Sequence, residues 1–325
     1  MVDQGRYLEA IPVLTEIVAT KPCPAVALFW MGHCCYLTGG PGQEALDYYA
    51  SAERYGYCAR QVNLYRGIVL AESERYSEAL EAFRTAQRSG DERETKVPAK
   101  PYVEQLERIL AGRASPTDFY FPPPHLPHLN GTWLEEASVP QSQQFMIDCL
   151  PALRKLFGNI GKSPIRLLDV GTATGAGANV IATLYAGSIL GYSVKVDAID
   201  LIRRYRAYAR RAFPRVNYLC GDLFRLPETD QWDITVCSHT IEHLADPTPL
   251  IEECQRRAAY YALFYAPFEE KQLIPGHWKS VDEEFVLGLN PLWWEIGESP
   301  GWKHPHDEIS RTVLFVLRGK ARVNR

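Results

Sequence analysis

The stretch Leu167-Leu168-Asp169-Val170-Gly171-Thr172-Ala173-Thr174-Gly175-Ala176-Gly177 constrains this chain more than any other. Two apolar residues run into an acid, and a small-residue turn then opens into the apolar run Asn179 to Leu184. That order is the pattern of a buried parallel strand, a tight glycine turn and a following helix. Bare backbone at such a turn lets a ligand approach where a Cβ would collide with it. The stretch therefore predicts an α/β domain with a nucleotide-like ligand on its first turn.

The residues that follow alternate in the same sense. Strand Ile165–Val170 leads to helix Ala178–Ala186, strand Ser193–Ile199 to helix Leu201–Phe213, then come strands Val216–Cys220 and Trp232–Cys237. Helix Pro247–Ala258 and strand Tyr260–Ala266 complete the series. Alternation of this kind predicts a doubly wound parallel sheet with its ligand at the carboxyl ends of the strands. The last two strands, Leu292–Ile296 and Arg311–Leu317, are joined by a short polar loop with no crossover helix, so they are expected to pair antiparallel.

Three acids fall at the carboxyl ends of successive strands: Asp169, Asp200, and Asp222 in Cys220-Gly221-Asp222-Leu223. An acid closing the second strand can accept hydrogen bonds from both ribose hydroxyls of a nucleoside. One after the third strand can reach an adenine amino group, with Leu223 packing on the ring. A glycine loop alone is a weak signal, and any one of these acids could merely cap a helix. Their register with the strands is what favours a nucleoside.

At this point a resemblance can be stated. From about Ile165 to Arg318 the chain resembles a class I S-adenosylmethionine-dependent methyltransferase. Asp169 to Gly175 resembles the first motif of that family and Val196-Asp197-Ala198-Ile199-Asp200 its ribose-binding strand. Cys220-Gly221-Asp222 resembles its adenine motif, and Trp232 to Pro247 its fourth motif. One departure stands out, since the middle glycine of the first motif is Ala173. The resemblance implies a seven-stranded sheet with an antiparallel last strand, and S-adenosyl-L-methionine as methyl donor. It also implies cofactor contacts from Asp169, Gly171, Thr172, Ala173, Gly175, Asp200, Leu201, Asp222, Leu223 and Ser238.

Methyl transfer from a sulfonium mainly requires alignment and exclusion of water. A hydroxyl acceptor also needs a base, for which histidine is suited at neutral pH. His239 and His243 after the fourth strand, and His277 after the fifth, are the candidates. His239, Glu242 and His243 would share one face if they lay on a helix, which raises a divalent metal as the lesser alternative; no metal ligand is assigned. Asp246 and Pro247 read as caps of the next helix. Phe268, the Gln272–Lys279 loop and Trp293 with Trp294 are expected to line the acceptor pocket.

Residues 1–113 read as a separate helical module. A small residue recurs as Ala10, Ala45 and Ala79, spaced by 35 and then 34 residues, with Leu14, Tyr49 and Phe83 four positions later. Gly32 and Gly67, again 35 apart, lie in the preceding helices. Small residues there let helices approach closely, and the bulky ones fill the groove between them. With Gly5, Tyr7, Ala10, Leu14 and Pro22 at its offsets, the module resembles tetratricopeptide repeats, which implies either a docking surface or a cap on the catalytic domain. A closing helix is expected at about Lys100 to Gly112, with Tyr102, Leu106, Ile109 and Leu110 on one face. Residues 114–150 form a connector: four prolines in Pro122-Pro123-Pro124-His125-Leu126-Pro127 exclude a helix, and an amphipathic helix broken near Pro151 leads into the methyltransferase-like domain, 151–325.

Composition limits the partners. A net charge of −4 gives no basic excess for nucleic-acid phosphates, and the arginines from Arg203 to Arg211 read as one solvated helix face. No run reaches the ~18 apolar residues of a membrane span. The start has no apolar signal core, and the eight cysteines form no paired framework. Those features predict a cytoplasmic protein with free thiols. The expected function is O-methylation of a small-molecule or glycan acceptor, with the repeats as accessory or docking module. Tetratricopeptide arrays fused to such a domain resemble enzymes of glycan and secondary-metabolite tailoring. A protein methyltransferase whose repeats hold the substrate, and a non-catalytic scaffold, are the alternatives.

Overall fold

The computed structural model describes residues 7–37, 42–89, 99–114, 138–201, 205–274, 277–303 and 310–321. The proline-rich connector, with His125 and His128, lies outside the described residues. Two compact units are present. One comprises Met1–Asn130, Leu201–Arg211 and Cys220–Asp222 as far as these are described; the other comprises Gly131–Asp200, Ala212–Leu219 and Leu223–Arg325.

In the first unit, helices α1 (Tyr7–Thr20), α2 (Ala25–Leu37), α3 (Gly42–Arg54), α4 (Ala59–Glu72), α5 (Tyr76–Arg88) and α6 (Lys100–Leu110) follow one another. Two antiparallel pairs, α2 with α3 and α4 with α5, repeat the same contact. A Cβ added to Gly32 would stand 2.8 Å from the Tyr49 ring, and one added to Gly67 would stand 2.6 Å from the Phe83 ring. Ala45, Ala52, Ala79 and Ala86 are fully buried between the helices. The small-residue repeat thus sets how closely the helices approach. The closing helix α6 stacks Tyr102 on Phe83, with ring centroids 4.7 Å apart. Leu110 departs from expectation: it is exposed, one residue past the buried Ile109 and therefore rotated off the apolar face. Helix α9 (Tyr205–Ala212) clusters with this unit, where Arg210 pairs with Glu74 at 2.9 Å. The arginine face is thus partly paired rather than wholly solvated.

The second unit opens with α7 (Val139–Ile160), then β1 (Ile165–Val170), α8 (Ala176–Leu184), β2 (Val194–Asp200), β3 (Asn217–Cys220), β4 (Trp232–Ser238), α10 (Thr248–Arg257), β5 (Ala258–Pro267), α11 (Glu283–Gly288), β6 (Trp293–Glu298) and β7 (Arg311–Arg318). Helix α7 runs unbroken through Pro151. Pro151 and Ile147 both face solvent, so water can satisfy the carbonyl that the proline leaves without its helical donor. The strand order is β3-β2-β1-β4-β5-β7-β6. β1 pairs parallel with β2 and β4, β4 pairs parallel with β5, and β7 is antiparallel to both its neighbours. The fold is thus a mixed sheet of seven strands, as the alternating pattern and the antiparallel ending predict. The connection from β6 to β7 occupies residues 299–310. Helix α11, capped by Asp282 accepting from the Phe285 N–H at 2.8 Å, is an element the periodicity does not reveal. Asp246 accepts from the Thr248 N–H at 3.0 Å and so caps α10, as its position predicts.

No described helix is long and apolar enough to cross a membrane. All eight cysteines are free thiols: five are buried, Cys220 is half-buried, and Cys23 and Cys58 are exposed.

Candidate active site

The turn after β1 is built from three left-handed residues, with φ of 72° at Gly171, 49° at Ala173 and 79° at Gly175. Alanine at position 173 adopts a left-handed conformation that a glycine would take without the Cβ cost. Its N–H donates to Asp200 Oδ2 at 2.8 Å and its carbonyl accepts from the Tyr218 hydroxyl at 2.6 Å. Asp200, the last residue of β2, therefore ties down the turn at the position expected to meet a ribose. Thr172 Oγ1 donates to Asp169 Oδ2 at 2.5 Å. Burial raises the Asp169 carboxyl to about 7; the Thr172 bond opposes the rise and the neighbouring Asp200 adds to it. A Cβ on Gly171 would fall 2.2 Å from Thr240 Oγ1, so this glycine lets the first turn pack against the loop after β4.

Asp169 and Asp200 thus stand at the carboxyl ends of neighbouring strands, Leu201 follows directly, and Asp222 lies two residues past β3 with the buried Leu223 beside it. Thr174 Oγ1, at the turn, and Ser238 Oγ, at the end of β4, are both buried with no hydrogen-bond partner. Unsatisfied polar atoms of this kind are uncommon and mark where a ligand would bind.

Past β4 the chain bends at His239, whose φ is 48° and whose N–H donates to the Tyr265 carbonyl at 2.7 Å. Its ring lies flat on Phe145 of α7, with centroids 3.5 Å apart and planes 6° apart. Tyr265 and Trp302 stand near the same imidazole, with centroids 5.3 and 5.5 Å away. Burial in this aromatic setting lowers the His239 pKa, with Glu242 pulling the other way, so the ring is neutral near pH 7. Its Nε2 is buried without a partner.

Ile241 to His243 form a single tight turn. The left-handed bend at His239 keeps that residue off the turn, so His239, Glu242 and His243 do not share a helical face as their spacing suggests. A different trio is brought together: one ligand atom each from Glu242, His243 and His277 lies within 4.8 Å of the others. His277 Nδ1 meets Glu270 Oε2 at 2.8 Å, and its ring stacks on Trp302 with centroids 5.5 Å apart.

The sheet register removes Trp293 and Trp294 from the site. Trp293 pairs with Val316, which pairs with Leu263 and so with Val236, two residues short of Ser238. That is about 7 Å below the carboxyl edge; Trp294, level with Cys237 through Phe315 and Phe264, is about 3.5 Å below it, and β6 lies three strand spacings, roughly 14 Å, from β4. Phe268, the residue after β5, is buried in the core cluster that also holds Leu223.

Residues 168–259 match the family model described as a methyltransferase domain. The matched span encloses Asp169, Asp200, Asp222 and the segment His239 to His243, and it ends before His277. Among solved structures, the N-methyltransferase NodS from Bradyrhizobium japonicum WM9, in complex with S-adenosyl-L-homocysteine, is similar to this chain. The likeness covers 57% of this chain and 90% of that one, at 17% identity and a TM-score of 0.42. Magnesium protoporphyrin IX methyltransferase from Synechocystis PCC 6803 is similar over 56% of this chain and 84% of its own, at 13% identity and a TM-score of 0.41. The cyclase SpnF is similar over 52% and 80% respectively, at 17% identity and a TM-score of 0.41. A comparison with curated proteins finds no match.

Sequence reasoning misses Phe145, Glu270 and Trp302, each of which touches a candidate histidine. Glu270 carries a signal that could have been read, an acid seven residues before His277 in a loop after a core strand. Phe145 and Trp302 come from α7 and from the β6–β7 connection, and no local pattern ties either to β4.

Proposed function

We propose that this chain is an S-adenosylmethionine-dependent methyltransferase that methylates a hydroxyl of a small-molecule or glycan acceptor. The observation that carries the reading is the left-handed turn after β1, held by Asp200 and flanked by Asp169, with unpartnered Thr174 and Ser238 hydroxyls at the same edge. The donor supplies a methyl group already activated on a sulfonium. Asp169, Gly171, Thr172, Ala173 and Gly175 would hold its amino-acid end and Asp200 with Leu201 its ribose. Asp222 with Leu223 would take the adenine, while Ser238 would close the site beside β4. Loss of a charged hydrogen-bond acceptor costs about 1.5–3 kcal/mol.

On the acceptor side, histidines at the ends of β4 and β5 supply the base. His239 is the one held neutral by burial, and a neutral imidazole can accept a proton. The helical array of the first unit is read as tetratricopeptide-like, serving as an accessory or docking module. Turnover of small hydroxylated acceptors by the full chain alone checks the acceptor class; activity that requires an added protein would move the acceptor to a polypeptide.

The test of the donor site is calorimetric titration of S-adenosylhomocysteine against wild type and Asp200→Ala. The expected loss in the variant is at least about tenfold. Equal affinities would sink the site assignment.

A further inference from the structure

We propose that Glu242, His243 and His277 form a binding site for one divalent first-row transition-metal ion. The three come from two segments, the turn after β4 and the loop after β5, and the backbone fastens those segments together. The N–H groups of Trp278 and Lys279 donate to the Glu242 carbonyl at 2.7 and 3.2 Å. The donor atoms are thereby gathered within 4.8 Å of one another, a spread that a single ion can bridge.

The Glu242 carboxylate is the stronger sign. Glu242 is fully buried, and neither carboxylate oxygen has a hydrogen-bond partner. His239 Nδ1 stands 3.3 Å from Oε1 but out of line for a hydrogen bond. A buried carboxylate is costly unless a charge or several donors compensate it, and a cation held between Glu242 and the two imidazoles would do so. His277 supplies the second sign. Its Nδ1 faces the Glu270 carboxylate at 2.8 and 3.0 Å, and carboxylate-bound imidazole is how metal-ligating histidines are usually oriented, with the other nitrogen toward the ion. Stacking on Trp302 fixes the ring plane.

Donor chemistry selects the class of ion. Two imidazoles and one carboxylate suit zinc, manganese, iron or cobalt, whereas magnesium and calcium prefer all-oxygen sets. Three protein ligands leave positions open for water or for an acceptor oxygen. The chemical role rests on the methyl-transfer reading: an ion here lowers the pKa of a bound hydroxyl, and His243 and His277 become ligands, leaving His239 as the base. Metal binding itself does not rest on that reading.

The test is a titration of the chelator-treated full chain with Co²⁺, followed by visible absorption and calorimetry. One equivalent with ligand-field bands is expected. Glu242→Gln and His243→Ala should each lower the affinity at least 100-fold, and Glu270→Gln by about 10–100-fold. His243 is exposed, so its variant keeps the fold, which circular dichroism checks. Asp200→Ala should bind Co²⁺ as wild type does. Absence of binding by the folded wild type, or unchanged affinity in Glu242→Gln or His243→Ala, overturns the proposal. Retained binding of S-adenosylhomocysteine in that case leaves the methyl-donor reading standing, and the opposite pair of results removes that reading alone.

Discussion

Gly171→Ala tests the first turn most directly, because two separable costs meet at one atom. With φ at 72°, any L-residue pays the left-handed penalty, about 1 kcal/mol. The new Cβ also lies 2.2 Å from Thr240 Oγ1, 2.6 Å from its Cγ2 and 3.0 Å from its Cβ. Rotating Thr240 cannot relieve the Cβ contact, and moving Oγ1 breaks its hydrogen bond to the Ser238 carbonyl at 3.1 Å. Overpacking of this kind costs about 1–3 kcal/mol, for a total near 2–4 kcal/mol. Thr240→Ala removes Oγ1 and Cγ2 but leaves the left-handed cost in place. In that background the glycine substitution should therefore cost only about 1–2 kcal/mol, a coupling of about 1–2 kcal/mol across the cycle. Urea unfolding followed by tryptophan fluorescence is a suitable assay, since six of the seven tryptophans, all but Trp30, lie beyond residue 130. Titration of S-adenosylhomocysteine should report the same order of variants. A coupling below about 0.5 kcal/mol, the scatter of independent sites, would refute the packing of this turn against the β4 loop.

Three further outcomes are expected. Asp169 has a folded pKa raised from 3.8 to about 7, so the unfolded chain loses this proton first, and stability falls as pH rises from about 4 to 7. Asp169→Asn abolishes that loss, by at most about 4 kcal/mol; the gap in urea midpoint over wild type should widen across this range and flatten above it. In the helical unit, Gly67→Ala gains about 1 kcal/mol of helix propensity but drives a Cβ to within 2.6 Å of the Phe83 ring, an overpacking of about 1–3 kcal/mol, for a net loss of up to about 2 kcal/mol; in a Phe83→Leu background thermal unfolding by circular dichroism should show a smaller loss or a gain. Arg257 is buried and bonds to Glu253 and to the carbonyls of Leu226, Pro227 and Asp230, so Arg257→Met should cost about 3–5 kcal/mol in the same urea assay, and a cost under 1 kcal/mol would contradict this network.

The sheet is legible in the sequence because its strands are short apolar runs between turn residues, and burial on both faces leaves few other assignments. β1 falls on its predicted residues, and the antiparallel ending follows from the absent crossover helix. The placement of Asp169, Asp200 and Asp222 at strand ends is legible for the same reason, since each is fixed by its distance from an apolar run. The acceptor side is not. His277 reaches Glu242 only because the Trp278 and Lys279 amides bond to the Glu242 carbonyl, and no spacing within one segment encodes a contact between two loops. Trp293 and Trp294 mislead for a related reason: a strand sequence gives aromatic content but not the pairing register that sets its height in the sheet.

The left-handed residues give a further argument that the carboxyl edge is a working surface, and it does not depend on any motif. Besides Glu74 and Asn290, the described non-glycine residues with positive φ are Ala173, His239 and Glu269. Those three follow β1, β4 and β5, which are consecutive in the sheet. Each costs about 1 kcal/mol that a glycine would avoid. Each is also pinned by its own amide, Ala173 to Asp200, His239 to the Tyr265 carbonyl at 2.7 Å, and Glu269 to the Val281 carbonyl at 2.9 Å. Strain persists only where the surroundings hold it, and it gathers where side chains must be aimed. At His239 the bend delivers an imidazole onto Phe145 with its Nε2 unpartnered, and at Ala173 it turns an amide toward the acid that ends β2. The edge that the glycine turn marks as a ligand site is thus also the edge along which adjacent strands end in strained backbone.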